Sequence, residues 1–340
     1  MADLPITTTH LQQCVHCGSN DFEKISDALN FDTGEGGFHL ERCVQCGLSR
    51  TAPLLNDEDL ASHYKIDYYG TASQKFFSPM ERVVQWSAGR MADGIMRQLR
   101  QKPDATGDGY RILDLGCGRG TLLRMLAKRG ATCTGVERAE FPSQEIVDGI
   151  EIRHGDFLQM DFSAQRFDAI VIWHVLEHLV NPDAVLNKVR SILAPGGLLL
   201  IAVPNYGGLQ AQCFGNKWFH LDIPRHVYHF TLDSIKSLLS HQHFEVRKVS
   251  TWSADQSIYG FIQSTLNSFA LFKQNDLYTV LKASRQGRLT LGAIAQVLLA
   301  GVITPLAIVE YFLSGLAGKG SCLMIDATGL ESEPLEVDQH

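Results

Sequence analysis

Residues 111–120 read Arg-Ile-Leu-Asp-Leu-Gly-Cys-Gly-Arg-Gly, an apolar run that enters Asp114-x-Gly116-x-Gly118-x-Gly120 and continues into the helical pattern of 121–129. Glycines at that spacing let the backbone turn tightly and approach a ligand, while the N–H groups of the helix start point at whatever binds. A second apolar run, 131–136, ends in Glu137, about twenty residues beyond the turn, where a carboxylate can accept both hydroxyls of a ribose. Gly130 supplies the helix stop between them. The chemistry this predicts is binding of a nucleotide-type ligand at a strand-to-helix turn.

The remaining signals follow in order. Asp156 closes a third strand, 150–153; residues 167–173 form a buried fourth; and Ala194-Pro-Gly-Gly197 turns into a fifth that runs to Asn205. Together, Asp114-Leu-Gly-Cys-Gly-Arg-Gly120, Gly135-Val-Glu137, Gly155-Asp156, Val175-Leu-Glu-His-Leu179 and Ala194-Pro-Gly-Gly197 resemble class I S-adenosylmethionine-dependent methyltransferases, nearest the branch of the quinone-biosynthesis methylases. The resemblance covers roughly 106–252 and specifies fold and cofactor far better than acceptor. It implies a Rossmann-like seven-stranded α/β sheet. Asp114, Gly116, Gly118 and Gly120 then lie near the methionine part, Glu137 on the ribose and Asp156 beside the adenine amino group, with His174 grouped among the cofactor residues. Asp156 also reads as a helix cap. A dinucleotide-dependent oxidoreductase is the competing reading, and Asp114 opposes it: its carboxylate repels a pyrophosphate and attracts the sulfonium and amino groups of S-adenosylmethionine.

Cys14-Val-His-Cys17-Gly and Cys43-Val-Gln-Cys46-Gly are paired knuckles with twenty-five residues between them. Four thiolates so arranged suit tetrahedral zinc, and a site closed by four sulfurs is structural, so Zn2+ is expected to fold residues 11–50 without doing chemistry. Disulfide or redox pairing is the alternative. His16 reads as a bystander. Several sugar-modifying and small-molecule methyltransferases carry a similar cysteine module, which by that resemblance helps form or cover the acceptor site.

Two histidine segments carry the candidates for acceptor chemistry. His174-Val-Leu-Glu177-His178 is expected to open the helix after the fourth strand, with its three polar side chains on one face. In quinone-biosynthesis enzymes a similar segment begins with Glu, and the Glu, Glu, His set can hold a divalent cation. Here His174 replaces that first Glu, which puts metal dependence in doubt. The second segment, 218–231, contains His220, Asp222, Arg225, His226 and His229 at the carboxyl edge of the sheet, where substrates of open α/β folds lie. His226, then His220, His229 and His178, are the candidate bases; Asp222 and Arg225 are candidate substrate groups, Asp222 also serving to orient an imidazole. Thr231 is expected to cap the next helix. Tyr68 and Tyr69 resemble the aromatic entry segment of these enzymes and are candidates for the acceptor pocket.

The elements that must position these residues fill the rest of the 340-residue chain, which is too long for one such core of about 200 to 250 residues. The expected organisation is a zinc-ribbon-like module (1–52), a helical lead-in with a helix over 80–99 (53–105), the core (106–252), a hydrophobic helical insert (253–319), the last strand (320–330) and a disordered tail (331–340). Residues 289–316 carry Glu310 as their only charged side chain, and Pro305 is expected to split them into two helices. Because the chain must return to an antiparallel last strand near Cys322, a lone membrane crossing is disfavoured. Interfacial membrane contact, a homo-oligomer or burial against the core stay open. A net charge of −7 with scattered Lys and Arg disfavours nucleic acid, and no signal-peptide pattern is read, so the expected location is cytoplasmic or membrane-peripheral. The reading is in-line methyl transfer to oxygen, carbon or nitrogen of a small-molecule or lipid-linked acceptor; the alternative is a catalytically silent S-adenosylmethionine-binding scaffold.

Overall fold

A computed structural model describes residues 13–63 except 32 and 35, 78–101, 109–138, 149–272, 274–281 and 291–330. Tyr68 and Tyr69, the linker at 102–108 and the tail at 331–340 lie outside the described residues.

The N-terminal strands β1 (Phe22–Ala28) and β2 (Phe38–Cys43) form an antiparallel hairpin that leads into the second cysteine knuckle, and β3 (Ser49–Ala52), beyond that knuckle, pairs antiparallel with β2. Seven strands then make the central sheet: β4 (Arg111–Leu115), β5 (Thr132–Glu137), β6 (Ile150–His154), β7 (Phe167–Trp173), β8 (Leu193–Pro204), β10 (Phe244–Ser250) and β11 (Cys322–Gly329). Their order is β10-β11-β8-β7-β4-β5-β6. β4 to β8 are parallel, and β11 inserts antiparallel between β8 and β10, as the resemblance implies.

The middle strands are apolar throughout because both faces are covered. On one face α2 (Ser78–Arg100) and α3 (Thr121–Ala127) bring Ile95, Leu99, Leu123 and Leu126 onto Ile112, Ala169 and Val171. On the other, Leu113, Ile170 and Ile172 join Val185 and Leu186 of α4 (Pro182–Ile192) and Ile235 and Leu238 of α6 (Leu232–His241). Thr231 caps α6 in a reciprocal box with Ser234. A short helix α1 (Asp57–Ser62) precedes α2 in the chain, and another, α5 (Leu209–Phe214), lies between α4 and α6.

Three observations differ from the sequence-based expectations. First, the ribbon is not a separate packing unit: β9 (Tyr228–His229), from the acceptor-edge segment, pairs with β3 and completes its sheet, and Cys14, Cys43 and Leu40 share one apolar cluster with Leu113 and Ile170. Second, 174–178 does not open a helix. His174 takes a left-handed φ of 55°, Leu176–His178 is a single 3-10 turn, and α4 starts only after Asn181, whose side chain caps Ala184 ahead of Pro182. The Asn-Pro start signal outranks the i, i+3, i+4 pattern. Third, the described part of the insert comprises α7 (Ala254–Asn267), α8 (Asp276–Leu281) and one unbroken helix, α9 (Leu291–Leu316), that runs through Pro305. Pro305 and Gly301, the residue one turn before it, are both exposed, so the ring displaces no packed neighbour. Ile303 and Ala307 meanwhile anchor both halves to the same cluster on α7.

Candidate functional site

The turn after β4 has left-handed backbone at Gly116, Gly118 and Gly120, with φ of 74°, 51° and 68°. Any side chain at Gly116 would also collide with Val175, whose Cγ2 would lie 2.3 Å from the new Cβ. That closeness joins the turn to the 174–178 segment. Asp114 is buried at the end of β4, and burial together with the neighbouring Glu137 pushes its carboxyl up to about 8. Glu137 closes β5; its Oε2 accepts from Gly118 N at 2.9 Å and its Oε1 from Arg138 N at 2.8 Å. An acidic pair facing a backbone turn favours a ligand with cationic and hydroxyl groups. Asp156 caps the 3-10 turn Phe157–Gln159 through Leu158 N at 3.0 Å. Lys188, which no sequence signal singled out, braces this loop by donating to the carbonyls of Phe157 (2.6 Å), Leu158 (3.0 Å) and Met160.

The two histidine segments meet beside this turn. His178 and His226 are 4.6 Å apart between ring centroids, and Glu177, His178 and His226 have ligand atoms within 4.8 Å of one another. Backbone carbonyls orient both rings: His178 Nδ1 lies 3.0 Å from Arg225 O and His226 Nδ1 2.9 Å from His220 O. Asp222 Oδ2 stands 3.9 Å from His226 Nε2. Glu177 is 1% exposed and neither carboxylate oxygen has a hydrogen-bond partner among the described residues; His174 Nδ1, at 3.5 Å, makes an ionic contact. Where the resemblance implied Glu, Glu, His, this chain brings His226 from the other segment to Glu177 and His178. That donor set fits one divalent cation.

Burial, reinforced by His178, lowers His226 to about 4, so its imidazole is neutral at neutral pH. Burial likewise lowers His220 to about 4 and His229 to about 3. Both have structural partners. His220 Nε2 lies 3.0 Å from Gln256 O of α7, and His229 Nε2 2.9 Å from Thr51 Oγ1 of β3. Burial opposes ionisation of Asp222, but the Arg225 guanidinium and His226 outweigh it and hold the carboxyl well below the usual range. Arg225 Nε donates to both Asp222 oxygens at 3.1 Å, and Nη1 reaches His63 O at 3.5 Å. The two expected substrate groups therefore pair with each other. His174 is held between Glu177 and Cys322, whose Sγ is 3.9 Å from its Nε2; burial disfavours its charged form, yet Cys322 and Glu177 raise its pKa.

Thr51 was not legible as a site residue, being an ordinary strand threonine. Its hydroxyl donates to His226 O at 2.7 Å and its N–H to Val227 O at 2.9 Å, so the ribbon grips the 218–231 segment directly. The ribbon's own centre has Cys14 and Cys46 sulfurs 3.5 Å apart, Cys17 and Cys43 likewise, and all four within 4.8 Å. Tetrahedral zinc–thiolate bonds of about 2.3 Å fit such a cluster. Gly18 and Gly47 end the two knuckles with φ of 72° and 74°, each donating its N–H to the first cysteine's carbonyl. His16 is outside the cluster: it bonds Ser237 Oγ at 2.8 Å and packs edge-on to His241, docking the ribbon on α6.

Residues 83–249 match the family model described as a methyltransferase domain. A ubiquinone biosynthesis O-methyltransferase of Maricaulis maris is 28% identical over 188 residues, covering 52% of this chain and 74% of that protein. The protein of the same name from Dinoroseobacter shibae is 36% identical over 104 residues, covering 28% of this chain and 42% of its own length. The chain thus spans less than half of the latter relative. Among solved structures, a 1,6-didemethyltoxoflavin-N1-methyltransferase of Burkholderia thailandensis matches 85% of this chain and 99% of its own, at 17% identity and a TM-score of 0.46.

Proposed function

We propose that this chain, a class I S-adenosylmethionine-dependent methyltransferase, methylates a hydroxyl oxygen of a small or lipid-linked acceptor at the carboxyl edge of its sheet, with His226 as proton acceptor. The observation that carries the reading is the convergence of the two histidine segments: Val175 touches Gly116 of the cofactor turn while His178, three residues on, packs on His226. The relatives named as O-methyltransferases support oxygen as the acceptor atom.

When bound, S-adenosylmethionine supplies an electrophilic methyl group on a sulfonium. The chain's residues do the rest. Glu137 accepts the ribose hydroxyls, Asp114 balances the positive charge, and Asp156 reaches the adenine edge. Neutral His226 takes the hydroxyl proton on Nε2, since Nδ1 is committed to His220 O, and Asp222 lies close enough to steady the imidazolium. Most of the acceleration comes from aligning acceptor oxygen and methyl carbon in a site that excludes water. A divalent cation held by Glu177, His178 and His226 would occupy the Nε2 of His226 in place of the proton, and would then itself acidify the acceptor hydroxyl.

The test assays methyl transfer to phenols and catechols, with and without a prenyl tail, in wild type and His226→Gln. A loss of about 10²- to 10⁴-fold in turnover is expected, with S-adenosylmethionine affinity unchanged. A parallel assay after chelation and manganese add-back separates base from ligand. If turnover survives in each of the His220, His226 and His229 variants, the base is His178 or absent, and a carbon or amine acceptor becomes the better reading. Tight cofactor binding with no turnover on any acceptor class would leave the silent scaffold.

A further inference from the structure

The helix α9 is amphipathic in reverse. Its inward stripe, 293, 296, 300, 303, 307, 310 and 314, buries Gln296, Glu310 and Ser314. Its outward face is aliphatic: Leu291, Leu298, Val302, Leu306, Leu313 and Leu316 are each more than half exposed, and no exposed residue of this helix carries a polar side chain. At 26 residues the ridge is about 39 Å long. It is the one helix among the described residues that is long and apolar enough to cross a membrane, with a mean hydropathy of 2.1 over its most apolar stretch.

We propose that α9 is a lipid-docking surface that lies flat in the headgroup region of an anionic bilayer, with its 298–302–306 face in the acyl boundary. Spanning is excluded by attachment along its whole length. Gln296 Nε2 donates to Asp276 at 3.0 Å, Ala307 packs with Ile262 and Leu277, Glu310 accepts from Gln210 Nε2 at 2.8 Å, and Gly315 leaves no room for a side chain beside Trp252. The chain then enters the central sheet at Cys322.

Charge and composition favour lipid over a second protein surface. Although the whole chain carries −7, the sequence from Leu277 to Val309 contains Lys282, Arg285 and Arg288 and no acidic residue, and exposed Lys319 follows the helix. Protein interfaces carry about one hydrogen bond per 100–200 Å², and the outward face of α9 offers no side chain to make one. Trp252, partly exposed and packed edge-on to Tyr311 and Phe312 at 5.3 and 6.2 Å, gives the C-terminal end an aromatic suited to headgroup depth.

The location has a catalytic consequence that rests on the function proposed above. Beneath α9, Gly260 of α7 sits against His220, where an added Cβ would fall 2.4 Å from Nε2. One helix layer therefore separates the lipid-facing ridge from the acceptor loop, an arrangement suited to an acceptor with a membrane-embedded tail.

Flotation of the full chain with vesicles of equal phosphatidylcholine and phosphatidylglycerol tests the surface, beside a triple variant Leu298→Glu, Val302→Glu and Leu306→Glu. All three sites are exposed, and S-adenosylhomocysteine titration checks that the variant is folded. Wild type should float, binding about tenfold more weakly to pure phosphatidylcholine, and the variant should stay unbound with intact cofactor affinity. Flotation of the triple variant, or a wild type that ignores vesicles, overturns the proposal. If that non-floating wild type is a dimer that the variant converts to monomer by light scattering, the ridge belongs to a second copy. Vesicle binding without methyl transfer would defeat the function reading alone.

Discussion

Asp114 and the buried histidines make the site's electrostatics testable residue by residue. Asp114 is raised to about 8 by burial and by Glu137, whereas a cationic ligand favours its ionised form. Its pKa must then fall on binding, so affinity for S-adenosylmethionine should rise as pH increases toward 8 and level off above. Calorimetry across pH 6 to 9 should show that slope in wild type and lose it in Asp114→Asn. The histidines act on stability with the opposite protonation logic. His220, His226 and His229 have folded pKa values of about 4, 4 and 3 against an ordinary 6.5, so each favours the folded state above pH 6.5. That contribution is lost progressively as pH falls from 6.5 through 4 to 3, because unfolding takes up protons. The melting temperature should drop over that interval, and His229→Gln should flatten the drop. At this scale the sequence was informative about residue type and much less so about partners. The glycines, Asp114 and Glu137 declare a pocket by spacing, but nothing in the sequence says that His229 belongs to Thr51 or that Arg225 turns to Asp222.

The elements carry the zinc prediction. Sequence alone treats the ribbon as a module apart, since knuckle spacing is a local pattern while β3–β9 pairing joins residues far apart in the chain. Through Thr51 the ribbon holds the carbonyl of His226, so Cys43→Ser should lose zinc and lower turnover together, with cofactor affinity falling less. Elemental analysis should give one zinc per wild-type chain; a full complement in Cys43→Ser would put the metal elsewhere. Thr51→Val isolates the mechanical link: it leaves the metal in place, and removing the hydroxyl that serves His226 and His229 should cost about 1–3 kcal/mol of stability. On the opposite side, Gly260→Ala should destabilise by about 1–3 kcal/mol by pressing on His220 and Gln210. Chemical denaturation measures both. The strands of the central sheet were readable from apolar runs, and the position of β11, though not its register, from the seventh strand that the resemblance implies. The 174–178 turn departs from its helical spacing because the Asn181-Pro182 start fixes where α4 begins, and α9 stays whole because an interior proline costs less where its face of the helix is open.

Across the whole molecule, ribbon, sheet edge and insert enclose one loop. β3 grips residues 226–229, Val227 N–H donates to Glu177 O at 2.8 Å, and α7 backs His220, so ribbon and insert both brace the 218–231 segment. The cysteine knuckles and the apolar run that became α9 were legible from spacing and composition. The convergence was not, because it depends on contacts between segments distant in the chain, Thr51 with His226 and His229 the farthest apart among them. All of this presumes that the turn after β4 holds S-adenosylmethionine. The direct test is calorimetric titration of the full chain with S-adenosylhomocysteine, S-adenosylmethionine and NAD, repeated on Glu137→Ala. One site per chain for the two sulfur nucleosides is the predicted result, with both weakened in the variant by about 1.5–3 kcal/mol as the ribose loses its charged acceptor. Preferential binding of NAD, or affinity for both sulfur nucleosides untouched by Glu137→Ala, would contradict it.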